Sequence, residues 1–206
     1  MTSFERIYAN QQAERELRRI SNCYANLKDA PTRHKCFISY HGADATEVLA
    51  FVQRFEKVFI PRVIGITEDD PAINSENTEY IMDTIREKYL SDSTVTIVMM
   101  GSCTWSRKFI DWEIYSSLRR GKVDRLNGLL GIELPSIAEA EVKLPDRLSE
   151  NLRNKGDGDG YARYWSYPRS EQALRNCIQD AFDARKIRDI LINNSRSRKF
   201  RNSLCD

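Results

Sequence analysis

The sequence predicts an α/β fold in which a parallel five-stranded sheet carries helices on both faces and is preceded by an N-terminal helix. Strand-like and helix-like segments alternate about five times along the 206-residue chain, a pattern typical of crossover units in a parallel sheet. Hydrophobic residues make up 41% and charged residues 30%, the composition of a globular domain. We expect an N-terminal helical extension (1–32), one domain (33–192) and a basic, frayed tail (193–206).

The first segment, residues 3–29, contains neither Gly nor Pro and predicts a single helix. Its apolar residues recur at spacings of three and four along one stripe, which is formed by Leu17, Ile20, Tyr24 and Leu27. Such a stripe fits a helix packed on the following domain. It also fits, although less well, a helix that mediates self-association or binds a partner.

Five later segments have the apolar or β-branched character of strands, and helical patterns separate them. The strands are expected at residues 35–40, 59–66, 94–100, 129–134 and 161–167, and the helices at 44–57, 75–89, 105–120 and 170–192. The third strand, TVTIVMM, is the most apolar and is expected at the centre of the sheet. Pro61 places the second strand at an edge, and Asp44 and Ser170 are expected to cap helices. Residues 135–160 are expected to be poorly structured.

Charge and cysteine usage restrict the ligand class and the compartment. The formal net charge is only +2, from 32 basic and 30 acidic residues, so nucleic acid is not expected as the main ligand. The cysteines are Cys23, Cys36, Cys103, Cys177 and Cys205. Their odd number and irregular spacing predict free thiols of a reducing compartment. The charged first thirty residues and the short apolar runs predict a cytoplasmic protein without a membrane partner.

In parallel sheets ligands collect where the strands reach their carboxyl ends. This rule places His41 and the loops 67–75 and 101–107 on one edge of the sheet. No glycine-rich phosphate motif and no nucleophile elbow follows a strand. His34 and His41 are the only histidines, so no metal site is expected. His34 is expected at the surface, whereas His41 fits either ligand contact or loop structure.

The segment 101–115, GSCTWSRKFIDWEIY, carries the strongest candidate for chemistry. Phe109 and Glu113 are four residues apart and share one helical face. Burial beside Trp112 would raise the pKa of Glu113, whereas the nearby charge of Arg107 would lower it. The sequence leaves open which effect is larger, and the pattern alone favours an ordinary surface carboxylate.

Four segments resemble Toll/interleukin-1 receptor (TIR) domains, and in particular the TIR proteins of Thoeris anti-phage defence. The segment FISYH (37–41) resembles the opening strand and loop of the family, and residues 93–114 are similar to its bacterial branch. LGIELP (130–135) and YWSY (164–167) fit the same branch. The resemblance covers about residues 33–185.

This resemblance implies a flavodoxin-like, TIR-type sheet and, for many members, cleavage of NAD at the nicotinamide–ribose bond. It places the family's catalytic glutamate on Glu113, while the family's usual Trp four residues earlier is Phe109 here. TIR domains use the loop that corresponds to residues 67–75 for substrate access and assembly. Here that loop shows no close match.

A single carboxylate is sufficient for this chemistry. Glycosidases need a second carboxyl group to protonate the leaving oxygen, but nicotinamide is already cationic in NAD and leaves as a neutral molecule. One carboxylate can then orient the ribose and stabilise the developing oxocarbenium charge. The residues expected to contact NAD beside Glu113 are Ser39, Tyr40, His41, Trp105, Phe109 and Trp112.

Two classes of function remain open from the sequence. The first is an NAD-consuming signalling enzyme that releases nicotinamide and makes an ADP-ribose-derived messenger for a separate effector protein. NAD is then a substrate, and neither a cofactor nor a metal is expected. The second is a non-catalytic assembly module that self-associates through its TIR surfaces and N-terminal helix.

Overall fold

Five strands and five α-helices are defined in the computed structural model, which describes residues 3–25, 33–63, 80, 90–120, 126–138, 140–152 and 160–205. The strands are β1 (Lys35–Ser39), β2 (Ile60–Val63), β3 (Val95–Met100), β4 (Gly128–Glu133) and β5 (Arg163–Trp165). The helices are α1 (Ser3–Ala25), α2 (Ala45–Arg54), α3 (Lys108–Ser117), α4 (Asp146–Asn151) and α5 (Glu171–Ile187). Short 3-10 helices occupy Gly42–Asp44, Thr104–Ser106, Pro135–Ile137 and Asp189–Leu191.

The strands pair in parallel in the order β2-β1-β3-β4-β5, which confirms the expected flavodoxin-like sheet. All six residues of β3 are buried at the centre, as the TVTIVMM segment predicts, because helices cover both faces. Pro61 lies in the edge strand β2, where its missing N–H breaks no ladder. The strand order reverses between β1 and β3, the switch point where ligands bind in such sheets.

Each face of the sheet has its own apolar core. Helices α1, α2 and α5 pack on one face, through residues that include Leu17, Phe51 and Ile178. Helices α3 and α4 pack on the other, through residues that include Ile110, Ile114 and Leu148.

Helix α1 packs on the domain through the apolar stripe that the sequence predicts. Leu17 is only 1% exposed, and the Ser21 hydroxyl accepts a hydrogen bond from the Val63 amide at 3.2 Å. Tyr24 and Leu27 lie in the part of the stripe whose side chains are outside the described residues. Packing on the domain is therefore confirmed for the described part of α1.

Several predicted boundaries and caps differ from the observed ones. The helix expected at 105–120 starts as a 3-10 turn and is α-helical only over Lys108–Ser117. Ser170 caps α5 as predicted, since its hydroxyl accepts from the Ala173 amide at 3.1 Å, but α5 ends at Ile187 rather than at 192. Asp44 occupies the N-cap position of α2 as predicted, but its side chain makes no capping hydrogen bond.

The expectation of poor structure in residues 135–160 is wrong for the described part before 153. A 3-10 turn and α4 lie there, and the Arg147 side chain in α4 is fully buried. The sequence pattern does not predict α4, because the helix is short and most of its residues are polar or charged. The helix expected at 75–89, apart from Tyr80, and the loop 67–75 lie outside the described residues.

Candidate active site

Glu113 lies on the face of α3 that packs against the sheet, beside the carboxyl end of β1. The residue is 8% exposed, and the Ser39 hydroxyl donates a 2.5 Å hydrogen bond to its Oε2 atom. Ser39 is the last residue of β1, and α3 follows the loop that leaves the neighbouring strand β3. The carboxyl group therefore lies at the β1/β3 switch point rather than in bulk solvent.

The pKa of Glu113 is raised to about 8, first because burial penalises its charged form, while the Ser39 hydrogen bond acts in the opposite direction. Desolvation thus decides the direction of the shift, and the basic residues that the sequence places nearby are not among its causes. No described cation forms an ion pair with Glu113. At neutral pH the carboxyl group is therefore mostly protonated, which is a feature of functional sites more than of structural ion pairs.

Three further polar residues lie at this edge of the sheet: His41, Asp44 and Arg107. Burial, and then the positive charge of Arg107, lowers the pKa of His41 to about 4, so the imidazole is neutral at pH 7. Burial raises the pKa of Asp44 to about 6 against the opposing charge of Arg107. The Arg107 Nε and the Asp44 Oδ2 are buried without a hydrogen-bond partner, so this edge has unused hydrogen-bonding capacity.

Gly101 permits the close approach of these elements. A Cβ atom at this position would collide with the Asp44 carboxylate. The absence of a side chain therefore lets the turn after β3 lie directly against the turn after β1. This contact brings the two switch-point loops together.

A buried polar network fixes the last turn of α3 to the centre of the sheet. The Ser117 hydroxyl lies 2.7 Å from the Thr96 hydroxyl of β3 and donates to the Glu113 carbonyl at 2.8 Å. Asn127 adds hydrogen bonds to the hydroxyls of Ser93 and Thr96. These bonds hold the backbone of Glu113 in register with β3.

The structure brings some of the predicted NAD contacts together and separates others. Ser39 contacts Glu113, and the half-buried Tyr40 and His41 follow directly at the exit of β1. Burial, and then the charge of Glu14, raises the pKa of Tyr40, and Glu113 adds to this effect. Ser39, Tyr40 and His41 therefore lie beside Glu113, and their contact with NAD stays a prediction. Asp44 and Arg107 were not among the residues predicted from the sequence.

The rings of the three predicted aromatic contacts are engaged with residues other than Glu113. Phe109 lies one turn before Glu113 on α3, and Trp105 lies in the 3-10 turn before that helix. Phe109 and Trp112 pack edge to face, with ring centroids 5.3 Å apart, and the Trp112 Nε1 donates to the Lys199 carbonyl at 2.8 Å. The Lys143 ammonium lies 3.7 Å from the centre of the Trp105 ring. Trp105 and Asp111 line the same pocket. Asp111 points about 200° around α3 from Glu113, so this pocket lies on a different side of the helix from Glu113. The NAD-stacking role of these rings stays a prediction.

The C-terminal residues 193–205, here called the strap, run antiparallel along α3 and are not frayed. Six hydrogen bonds join the strap to α3 and the turn before it: Asn194 Nδ2 to the Tyr115 carbonyl at 3.1 Å, Trp112 Nε1 to the Lys199 carbonyl at 2.8 Å, the Lys199 amide to Asp111 Oδ2 at 2.7 Å, Lys199 Nζ to the Trp105 carbonyl at 3.1 Å, the Lys108 amide to Asn202 Oδ1 at 2.9 Å, and the Ser203 amide to the Ser106 carbonyl at 2.9 Å. The expected frayed tail is therefore wrong, since backbone groups of the strap find partners on α3.

The strap ends in a disulfide between Cys205 and Cys103, with Cα atoms 5.7 Å apart. Cys103 lies in the loop between β3 and α3, so the bond ties the chain terminus to the entrance of the candidate site. The expectation that all five cysteines are free thiols is wrong for this pair, whereas Cys23, Cys36 and Cys177 are free.

Metal and membrane features are lacking in the part of the chain that the structure describes. Its His, Cys, Asp and Glu side chains form no cluster suited to a metal ion. Of the helices in these ranges, none has both the length and the apolar character needed to cross a bilayer.

Fold and site together define a class: a flavodoxin-like parallel domain with a buried, unpaired carboxyl group at its β1/β3 switch point. In a comparison with known families, residues 37–139, half of the chain, match the family described as "Thoeris protein ThsB, TIR-like domain". The chain therefore belongs to this TIR-like family and is a TIR-type protein related to Thoeris defence. No curated protein gives a significant match to the sequence. The matched range contains Ser39 and Glu113, but not the strap.

Proposed function

We propose that this protein cleaves the nicotinamide–ribose bond of NAD, with Glu113 as the catalytic carboxylate. The observation that carries the proposal is the position of Glu113, which is buried at the β1/β3 switch point, hydrogen-bonded to Ser39 and unpaired with any described cation. A carboxyl group without a cation is available for charge that develops on a substrate.

In the proposed reaction the bond between the ribose C1′ and the pyridinium nitrogen breaks, and nicotinamide leaves with the bonding electron pair. Positive charge moves from the pyridinium ring to the ribose, and the Glu113 carboxylate stabilises the resulting oxocarbenium ion. Water then adds to C1′ and releases one proton, which gives ADP-ribose. A nucleophile within the same molecule, adding at C1′ with loss of its proton, would give a cyclic product instead.

The raised pKa of Glu113 fits a site that becomes active when its substrate binds. Without a ligand the group is mostly protonated at neutral pH. The cationic nicotinamide ring of NAD would favour the ionised form, because an opposite charge nearby lowers the pKa of a carboxyl group. The binding of NAD is thereby coupled to the ionisation of Glu113, whose proton is released to solvent.

Arg107 and His41 are suited to the remaining parts of NAD. The Arg107 guanidinium has a buried Nε with no hydrogen-bond partner, and the diphosphate of NAD is the chemical group that such a cation binds most strongly. The neutral His41 can donate or accept a hydrogen bond with a ribose hydroxyl. The proposal includes release of the ADP-ribose product as a messenger to a separate effector protein in anti-phage defence.

The test is the release of nicotinamide from NAD by the purified full chain between pH 6 and pH 9.5. The parent should release nicotinamide, and Glu113→Gln should reduce the rate by about 10²–10³-fold, the loss typical of one electrostatic catalytic group. Glu171→Gln is the matched control, since Glu171 is exposed in the first turn of α5. Equal rates for the parent and Glu113→Gln would refute the role of Glu113.

An assembly module is the second candidate, and the surface of α1 favours it. Phe4, Ile7 and Tyr8 are 78%, 55% and 58% exposed and lie at the spacing of one helical face. Sedimentation of the parent and of Ile7→Asp tests this function, with Arg6→Asp as the control, because Arg6 is exposed on another side of the same helix. Assembly through this face predicts oligomers that only Ile7→Asp dissociates, and a monomeric parent rules it out.

A further inference from the structure

The first turn of α3 depends on the strap for its cap. Arg107 occupies the N-cap position and makes no side-chain capping hydrogen bond. The Lys108 amide instead donates to Asn202 Oδ1 at 2.9 Å, so a residue 94 positions away in the chain performs the capping role. The helix that carries Glu113 is therefore stabilised at its start by the C-terminus.

The strap also holds the side of α3 that faces away from the sheet. Asp111 accepts from the Lys199 amide at 2.7 Å, and Trp112 donates to the Lys199 carbonyl at 2.8 Å. Arg147, fully buried beneath the strap, bonds Asp111 Oδ1 at 2.9 Å and the Arg196 carbonyl at 3.0 Å. Apolar packing fixes α3 on its sheet side, and this polar layer fixes it on the opposite side.

The disulfide joins the end of the strap to the loop that leads into α3. Cys103 and Cys205 are each part-exposed, which leaves the bond within reach of small thiols. Disulfides that form in reducing surroundings are commonly transient and redox-sensing. The apolar side chains near the end of the strap do not anchor it in the core, since Phe200 and Leu204 are 91% and 89% exposed.

We propose that the strap is a positioning element for Glu113, acting through Asn202 and α3, and that the Cys103–Cys205 disulfide makes this positioning responsive to thiols. A low-molecular-weight thiol is the reductant. One thiolate attacks the disulfide, a second resolves the mixed disulfide, and together they supply two electrons. The products are two protein thiols and one molecule of the small disulfide.

Reduction frees the end of the strap, and Asn202 then caps α3 for a smaller fraction of the time. The first turn of α3 opens more often, and the carboxyl group of Glu113, which lies just over one turn further on, loses its fixed distance from Ser39. A small displacement of a catalytic group from its reactive geometry lowers the rate of the chemical step more than it weakens substrate binding. Reduction is therefore expected to lower kcat about 10-fold, with KM changed much less.

The first measurement is amide hydrogen exchange of residues 108–113 in the full chain, oxidised and after treatment with a small thiol. Exchange should become about five-fold faster on reduction, the effect of losing one helix cap. Cys205→Ser should exchange at the fast rate with and without thiol. Cys23→Ser, which removes an exposed free thiol, should respond like the parent. Equal exchange in the oxidised parent and in Cys205→Ser overturns the proposal.

The second measurement is nicotinamide release, which rests on the proposed function. Asn202→Ala should lower kcat in the oxidised protein. Asn202→Asp keeps a capping oxygen, so its kcat should stay close to that of the parent. A thiol effect on exchange without NAD cleavage by any variant refutes the proposed function but leaves the strap as the element that positions α3. NAD cleavage with the same kcat in both redox states would overturn the proposal that the strap positions Glu113.

Discussion

Asp111 and Glu113 lie two residues apart on the same helix and are almost equally buried, at 7% and 8% exposure, but their surroundings are opposite. Asp111 faces the strap, where Arg147 Nε lies 2.9 Å from its Oδ1 and the Lys199 amide 2.7 Å from its Oδ2. Glu113 faces the sheet edge, where one serine hydroxyl is its side-chain partner. The same helix therefore carries a carboxylate paired with a guanidinium on one side and a carboxyl group without a cationic partner on the other.

This difference is the one expected between a structural carboxylate and the catalytic carboxylate proposed for Glu113. A buried charge that is paired and fully hydrogen-bonded organises the fold. A buried carboxyl group without a cation costs stability in its ionised form, and this cost is typical of sites that act on a ligand. On this basis α3 connects the strap, which stabilises the helix, to the sheet edge, where the chemistry is proposed.

The largest expected effect follows from breaking the Asp111 pair. Asp111→Asn leaves the fully buried Arg147 guanidinium without its counter-charge, and it should lower the free energy of unfolding by about 3–5 kcal/mol. Denaturant unfolding of the oxidised protein at pH 7 measures this change. Asp146→Asn is the control, because the Asp146 side chain is 59% exposed in its pair with Arg196 and should change stability by less than about 1 kcal/mol. A small effect for both variants would remove the contrast between the two sides of α3.

Glu113→Gln is expected to act in the opposite direction on stability. The folded pKa of Glu113, about 8, lies above its ordinary value of 4.5. The folded state therefore retains a proton that the unfolded state loses, and the protein loses stability as pH rises from about 4.5 to about 8. At roughly 1.4 kcal/mol per pKa unit, the parent loses on the order of several kcal/mol across this window.

The glutamine in Glu113→Gln has no proton to lose in this pH range, so this variant should not lose stability for this reason. Its stability relative to the parent should rise between pH 5 and pH 9 and then level off. Unfolding measured at pH 5, 7 and 9 checks the trend, with Glu171→Gln as a control. A difference between parent and Glu113→Gln that is independent of pH would contradict the account.

The Ser39 hydroxyl is expected to have a smaller effect, on the pH dependence of the reaction. Its hydrogen bond favours the ionised form of Glu113, so Ser39→Ala should raise the pKa of Glu113 further. The rise of kcat/KM with pH should then move to higher pH by about one unit. Ser102→Ala, on the exposed part of the same edge, should leave the profile unchanged. An unchanged profile for Ser39→Ala would mean that Glu113 does not control the rate.

The sequence could predict the sheet, because local patterns encode it. The apolar β3 segment, Pro61 in the edge strand and Ser170 as a helix cap all act through neighbouring residues or simple burial. The topological rule that the carboxyl ends of adjacent parallel strands meet placed His41 and the loop 101–107 at one edge, but the hydrogen bond from Ser39 to Glu113 becomes evident only in the structure.

The strap could not be predicted, because its contacts leave no local signal. Residues 193–205 are mostly polar or basic. Their backbone and side-chain groups bind α3 and the turn before it, which lie about ninety positions earlier in the chain. The buried Arg147 contradicts the usual exposure of arginine, and its partners become evident only in three dimensions. The Cys103–Cys205 pair is similarly hidden, since five cysteines allow many pairings.

The most direct test of the account is a titration of the Glu113 side chain itself. Carboxyl ¹³C shifts of the glutamate-labelled oxidised protein can be followed from pH 3 to pH 10, and Glu113→Gln assigns the signal by its disappearance. Burial without a cation predicts a midpoint near 8, with Asp111→Asn leaving that signal close to its parent value. A Glu113 midpoint near 4.5 would mean that the carboxyl group is solvated or paired, and it would contradict the central claim.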